Sequence, residues 1–142
     1  IVEATDKEIS LLAQSETTAM LLPTADFYLK VPYPKARELL DRGGRVALAT
    51  DFNPGSSPTQ DLSLVGLLSR LEMKMTLSEA ITAYTLNASY ALGQESQKGS
   101  LEIKKTCDFS VLSDDLSSLF YSVGHHPVSE VWLSGELKYK KS

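Results

Sequence analysis

Cysteine is nearly missing from this chain, and its single occurrence, Cys107, excludes an internal disulfide. Histidine is almost as scarce. One cysteine and the two adjacent histidines, His125 and His126, cannot assemble a conventional structural zinc site, so any metal ion must find ligands elsewhere. No apolar run approaches the length of a membrane span, and the amino terminus lacks the basic-then-apolar pattern of a secretory signal, so a cytoplasmic protein that does not bind membranes is expected. A dominant charge is also lacking. The 14 basic and 18 acidic residues give a net charge of -4 without long blocks of either sign, which argues against a nucleic-acid-binding surface. The short basic tail Lys138-Tyr139-Lys140-Lys141 is expected to be a solvated chain end. An initiator methionine is absent too, since the chain opens Ile1-Val2-Glu3, and the sequence is expected to be a piece of something longer. Its 142 residues would still suffice for a real core.

What is present alternates between helix and strand signals. Thr5-Asp6-Lys7-Glu8 is a capping box that opens a helix running to about Ser15. Thr18 to Leu22 has the character of a short strand stopped by Pro23, and Pro34 suits the first position of a helix ending near Arg42, before Gly43-Gly44. A second apolar strand carries the chain to Asp51, so the pattern is that of βα units with a parallel sheet. From Asp61 to Glu72 a broad apolar surface formed by Leu62, Leu64, Val65, Leu67, Leu68 and Leu71 predicts a helix with little solvent around it. Thr76-Leu77-Ser78-Glu79 is a second capping box, and a short helix over 88–92 would be closed by Gly93. Beyond about Gln94 the signals are those of a small β unit. Strands are expected at 99–103, 109–112 and 128–133, with a Ser134-Gly135 turn after the last and one helical excursion over 116–122.

The most informative stretch is Val46-Ala47-Leu48-Ala49-Thr50-Asp51-Phe52-Asn53-Pro54-Gly55-Ser56-Ser57-Pro58. Val46 to Ala49 is a short uninterrupted apolar run, as in strands covered on both faces. Asp51 then falls at the strand's carboxyl end, where open α/β sheets and (β/α)8 barrels gather their ligands and catalytic side chains. A carboxylate there can bind a metal ion and accept a proton from water. The residues alone leave a second reading open, in which Asp51 merely initiates a turn and Asn53-Pro54-Gly55 completes it. Ser56 and Ser57 lack evident histidine and aspartate partners, which weighs against a serine hydrolase. His125-His126 is not expected to bind metal, because neighbouring side chains point in different directions. Trp132 and the tyrosines are expected in the core or at an interface.

The segment Ala47 to Pro58 closely resembles the last-strand motif of the imidazolonepropionases, a metal-dependent family of the amidohydrolase superfamily. Weaker matches at Leu21-Leu22-Pro23, Gly99-Ser100-Leu101, Cys107-Asp108-Phe109 and Val131-Trp132-Leu133-Ser134-Gly135 spread the resemblance over most of the chain. It implies an α/β fold in which residues 1–93 are the last βα units of a (β/α)8 barrel and residues 94–142 contribute strands to a small β-sandwich. It implies that Asp51 is both catalytic and a metal ligand, and that Asn53, Gly55 and Ser56 bind substrate through a side-chain amide, a backbone amide and a hydroxyl. The implied reaction is hydrolysis of the cyclic amide of 4-imidazolone-5-propanoate to N-formimidoyl-L-glutamate in histidine degradation. One zinc or iron ion per full-length site is implied, together with the N-terminal remainder as partner, and a homodimer is compatible with the family. The fragment alone would be inactive and would bind no metal, because the histidine ligands and the substrate-binding arginine lie outside it. Another deaminase or amidase of the superfamily, or a non-catalytic structural domain, remains as an alternative.

Two positions depart from the family pattern. Lys104 stands where glycine is common, so a positive φ there would cost on the order of 1 kcal/mol relative to glycine. Cys107 stands where alanine is common and is expected to be a small buried filler without a nucleophilic role.

Overall fold

The computed structural model describes residues 1–141. Helix α1 (Asp6–Ala13) begins at the first capping box, where the Glu8 amide donates to the Thr5 hydroxyl at 3.4 Å and the Thr5 amide donates to the Glu8 carboxylate at 2.8 Å. Strand β1 (Thr18–Leu21) leads directly into α2 (Pro23–Leu29), a helix the sequence signals had not suggested. Pro23 does stop the strand, but it also occupies the first helical position, where its fixed φ suits a helix and its missing amide leaves no bond unmade. Helix α3 (Ala36–Asp41) starts later than Pro34, whose carbonyl instead accepts from the Ala36 amide in a tight turn at 2.7 Å. Strand β2 (Arg45–Leu48) then lies parallel to β1, with Thr18 opposite Arg45 and Leu21 opposite Leu48. Val46, Ala47 and Leu48 are all buried, as a strand covered on both faces requires.

Three helices follow: α4 (Leu62–Leu71), α5 (Leu77–Tyr84) and α6 (Leu86–Ala91). The Asp61 carboxylate caps α4 by accepting from the Ser63 and Leu64 amides at 2.8 and 3.1 Å. Gly93 takes the left-handed conformation just after α6, at φ 64°, a backbone shape that glycine adopts without steric penalty. Helices α3, α5 and α6 pack against β2, and the core between them joins Ile9, Leu39, Val46, Val65, Met73, Met75, Ala80 and Ala83.

Helices α3 and α5 are also joined by a forked ion pair. Arg37 donates from Nη1 and Nη2 to the two Glu79 oxygens at 2.9 and 2.8 Å, while Glu79 Oε2 accepts from the Thr76 amide as part of the second capping box. These bonds, led by those from Arg37, hold the Glu79 carboxyl at about 2, below its ordinary 4.5. A carboxyl depressed on folding contributes stability above its unfolded pKa and loses it as pH falls through the folded value. Both side chains are nearly one-third exposed, so after solvent screening the pair is worth about 1 kcal/mol. In the full-length protein, Glu79→Gln is therefore expected to lower unfolding stability by that amount at neutral pH. Urea unfolding at a series of pH values should show the deficit complete above pH 4.5 and shrinking towards pH 2.

The rest of the chain forms an antiparallel sheet of β3 (Phe109–Leu112), β4 (Val128–Leu133) and β5 (Glu136–Lys140), in that order. Ser134 and Gly135 make the β4–β5 turn, both at positive φ, which matches the twist of a tight hairpin. The tail expected as a free chain end is thus partly an edge strand, since Tyr139 pairs with Val131 and Lys140 with Glu130, although the side chains of β5 stay exposed. No strand forms at 99–103. Gly99 is at φ 92° and the Lys105 amide turns back to the Glu102 carbonyl at 3.1 Å, so the backbone cannot run extended there. Lys104 does take a positive φ, 79°. The expected helical excursion shrinks to a single 3-10 turn, Leu116–Ser118. It cannot continue because Phe120 adopts φ 57° and drops its ring onto α4, where a β-carbon on Gly66 would lie 2.3 Å from Phe120 Cδ1. The same ring meets Tyr84 at 5.1 Å, and Arg70 donates to the Phe120 carbonyl at 3.0 Å, fastening the second part of the chain to the first.

Among the described residues, no helix is long and apolar enough to cross a membrane.

Candidate functional site

The parallel pairing carries one bond beyond β2, from the Ala49 amide to the Leu21 carbonyl at 3.1 Å. Two residues later Asp51 reverses the backbone at φ 52°, a left-handed conformation that Asp tolerates better than most residues. The strand therefore stops before Asp51, and the exposed carboxylate stands at its carboxyl end. Among the described residues the Asp51 carboxylate meets a single side-chain donor, Asn53 Nδ2 at 3.5 Å, a contact at the limit of hydrogen bonding.

The next residues fold into a small ring around Asn53. Its Oδ1 accepts from the Gly55 and Ser56 amides at 2.9 and 2.8 Å, and its Nδ2 donates to the Asp51 carbonyl at 2.7 Å and to Ser56 Oγ at 2.9 Å. Asp51, Asn53, Gly55 and Ser56 are thus brought together in one loop. The turn is closed by the Asn53 side chain, with Asp51 supplying its backbone carbonyl. Both Asn53 amide protons are already engaged within the loop. A ligand reaching that amide would have to replace one of these bonds.

Two buried hydroxyls underneath were not among the candidates. Ser57 and Thr24, 0% and 3% exposed, both direct their hydroxyls at the Thr50 carbonyl, at 2.6 and 3.1 Å, and their oxygens lie 3.1 Å apart. No local sequence signal singles them out: Thr24 follows the proline that opens α2, and Ser57 lies in the turn-rich stretch before Pro58. Nearby in sequence, one oxygen of Asp26 is buried without a partner among the described residues, and burial raises its carboxyl above the ordinary range.

The other candidates lie elsewhere. His125 meets Asp114 at 3.0 Å and His126 meets Asp61 at 3.9 Å, both partly exposed. Trp132 is half-buried in the antiparallel sheet, stacked on Phe109 at 5.7 Å. Cys107 is exposed, contrary to the expectation of a buried filler, because its carbonyl receives the Gly135 amide at 2.9 Å beside the hairpin turn and its side chain faces outward. A cavity of 590 Å³ opens between the last two helices and the antiparallel sheet, lined by Tyr84, Leu92, Phe109, Leu119 and Trp132 among others, and mainly apolar. It includes no residue of the Asp51 loop.

Among the described residues no three His, Cys, Asp or Glu side chains form a group able to hold a metal ion. The donor set at the strand end is one carboxylate oxygen pair. That fits a single oxygen ligand of a zinc or iron ion and leaves the other positions to be filled from outside these residues.

A strand-end carboxylate on a βα scaffold, followed by a small antiparallel sheet, fits the family match: residues 1–138 match the amidohydrolase family, and the chain belongs to it. A solved adenosine deaminase from Xanthomonas campestris with bound zinc superposes with a TM-score of 0.86 at 24% identity, over 96% of this chain and 35% of that one, which establishes likeness of fold. In sequence the chain is similar to imidazolonepropionases. That of Bdellovibrio bacteriovorus is 54% identical over 96% of this chain and 32% of its own length, and that of Solibacter usitatus is 43% identical over 94% and 32%. The chain therefore spans about one third of the length of the curated relatives it matches.

Proposed function

We propose that this chain is the aspartate-bearing C-terminal part of a metal-dependent hydrolase that opens the cyclic amide of 4-imidazolone-5-propanoate to give N-formimidoyl-L-glutamate. The observation that carries the chemistry is the exposed Asp51 carboxylate, fixed by a closed loop at the carboxyl end of a buried parallel strand. The substrate is taken from the imidazolonepropionase relatives, which at 54% and 43% identity are much nearer in sequence than the deaminase is. Residues 1–93 are assigned to the last βα units of a (β/α)8 barrel and residues 94–142 to a β-sandwich segment.

A zinc or iron ion, bound with ligands supplied by the N-terminal remainder, would bring the pKa of a coordinated water towards neutrality. Asp51 would supply one ligand to such an ion and would accept a proton as water adds to the ring carbonyl carbon. The ring C–N bond then breaks, and the proton held by Asp51 is delivered to the departing nitrogen. Asn53, Gly55 and Ser56 form the wall beside the reacting ring, with Ser56 Oγ best placed to exchange a loop bond for one to substrate, since a hydroxyl can rotate its proton. Pro54 and Pro58 limit the loop's freedom before substrate arrives, so less entropy is lost on binding.

The test is hydrolysis of 4-imidazolone-5-propanoate by the full-length protein with and without a chelator, beside the isolated 142 residues. Chelator-sensitive turnover in the full chain and none in the piece is the expected result. A folded, metal-loaded full chain that leaves this compound untouched would remove the substrate assignment.

A further inference from the structure

We infer that Ser57 and Thr24 are positioning residues, a buried hydroxyl pair that aims Asp51 by clamping the carbonyl of the residue before it. The inference rests on Asp51 having the role proposed above.

The two hydroxyls are the only side-chain groups among the described residues that reach the Thr50 carbonyl. A carbonyl oxygen has two lone pairs, and here Ser57 takes one at 2.6 Å and Thr24 the other at 3.1 Å. Thr24 comes from the start of α2, beyond β1, and Ser57 from the far side of the catalytic loop. The clamp therefore ties the ends of both parallel strands to one peptide group. Ser57 also closes the loop through its backbone, exchanging bonds with Asn53 at 3.1 and 3.3 Å. Thr50 is thus fixed on its carbonyl side and Asn53 on its amide side. Between them only Asp51 and Phe52 remain, and the Asp51 carbonyl is itself held by Asn53 Nδ2 at 2.7 Å.

Such a clamp is needed because Asp51 sits at φ 52°, a sparsely populated conformation for a residue other than glycine. Left unrestrained, the Thr50–Asp51 peptide could rotate and swing the carboxylate away from the strand end. Both side chains are buried, so they hold the carbonyl from the interior side, away from bulk solvent. A small rotation at this peptide displaces the carboxylate from its reacting position, and misplacements of about 1 Å can cost about 100-fold in rate.

The experiment uses the full-length zinc-loaded protein carrying Ser57→Ala, Thr24→Val, both together, or Thr24→Ser. Four quantities are read: kcat, KM, the rate at which zinc is lost to a chelator in the absence of substrate, and the melting temperature. Each single variant should lower kcat by about 10-fold and speed zinc loss by about 10-fold, with KM within about twofold of native. The double variant should lose about 100-fold in kcat, and Thr24→Ser, which keeps the hydroxyl, should restore both kcat and zinc retention. Native kcat and zinc retention in Ser57→Ala and Thr24→Val, with only the melting temperature lowered, would mean that the pair merely stabilises the fold and would overturn the inference. A rise in KM alone would overturn it as well. Asp51→Ala separates this outcome from failure of the underlying reading: if that variant keeps its zinc and its turnover, the role of Asp51 is wrong. If it is dead while the hydroxyl variants behave as native, only the clamp is wrong.

Discussion

Asp51→Asn in the full-length protein is expected to lower kcat/KM for 4-imidazolone-5-propanoate by at least about 10³-fold. General acid–base catalysis by a placed side chain contributes about 10²–10⁴-fold, and under the proposed role the same substitution would also weaken a metal ligand. The choice of asparagine matters. Asp51 lies at φ 52°, and Asn, like Asp, is several-fold enriched in that region, so the loop backbone should survive the change. Its side chain has nearly the same shape but cannot take up a proton. Asp51→Ala removes the ligand altogether and gives up whatever suits Asp to this backbone, so its loss of rate should be at least as large. The measurement is steady-state kinetics alongside metal content per chain. Turnover above about a tenth of native in Asp51→Asn would show that another group handles the proton, since a loss that small falls below the range expected of a general base.

The placement of Asp51 was legible because several local signals agree. An uninterrupted apolar run, an acid and then a turn-rich stretch is a pattern with few solutions in a parallel sheet, and β2 is buried as that pattern demands. Both capping boxes were equally plain, because their bonds are made within four residues. What escaped depends on contacts between distant parts of the chain. The hydroxyl clamp joins residues 24, 50 and 57, and nothing in the local sequence marks a buried serine as different from an exposed one. Edge strand β5 carries alternating charged residues that resemble a solvated tail, and only its pairing with β4 gives it regular structure. The missing strand at 99–103 fails for a related reason. A strand was expected there, but Gly99, at positive φ, lies close against Ser89 and the chain turns, leaving Leu101 and Ile103 71% and 93% exposed. The left-handed Phe120 is a further tertiary override, a ring seated on α4 at the expense of a helical turn.

Asn53→Ala is expected to lower kcat by about 100-fold and to raise KM, with little change in the melting temperature of the full-length protein. The removed amide accepts from the Gly55 and Ser56 backbone and donates to the Asp51 carbonyl and to Ser56 Oγ. Several modest bonds of about 1 kcal/mol each are lost together, and they hold the loop in the conformation that presents Asp51. Since the loop is mostly exposed, water can satisfy the freed groups, which is why folding should suffer less than turnover. Asn53→Asp makes the comparison decisive. Its carboxylate can still accept from both loop amides but cannot donate to the Asp51 carbonyl, and it places a second negative charge beside the Asp51 carboxylate. If Asn53 acted only as a substrate ligand, both variants would raise KM and leave kcat untouched, because an interaction equal in ground and transition states changes binding alone. A fall in kcat in both, greater than the rise in KM, is the signature of a side chain that shapes the loop as well as lining it.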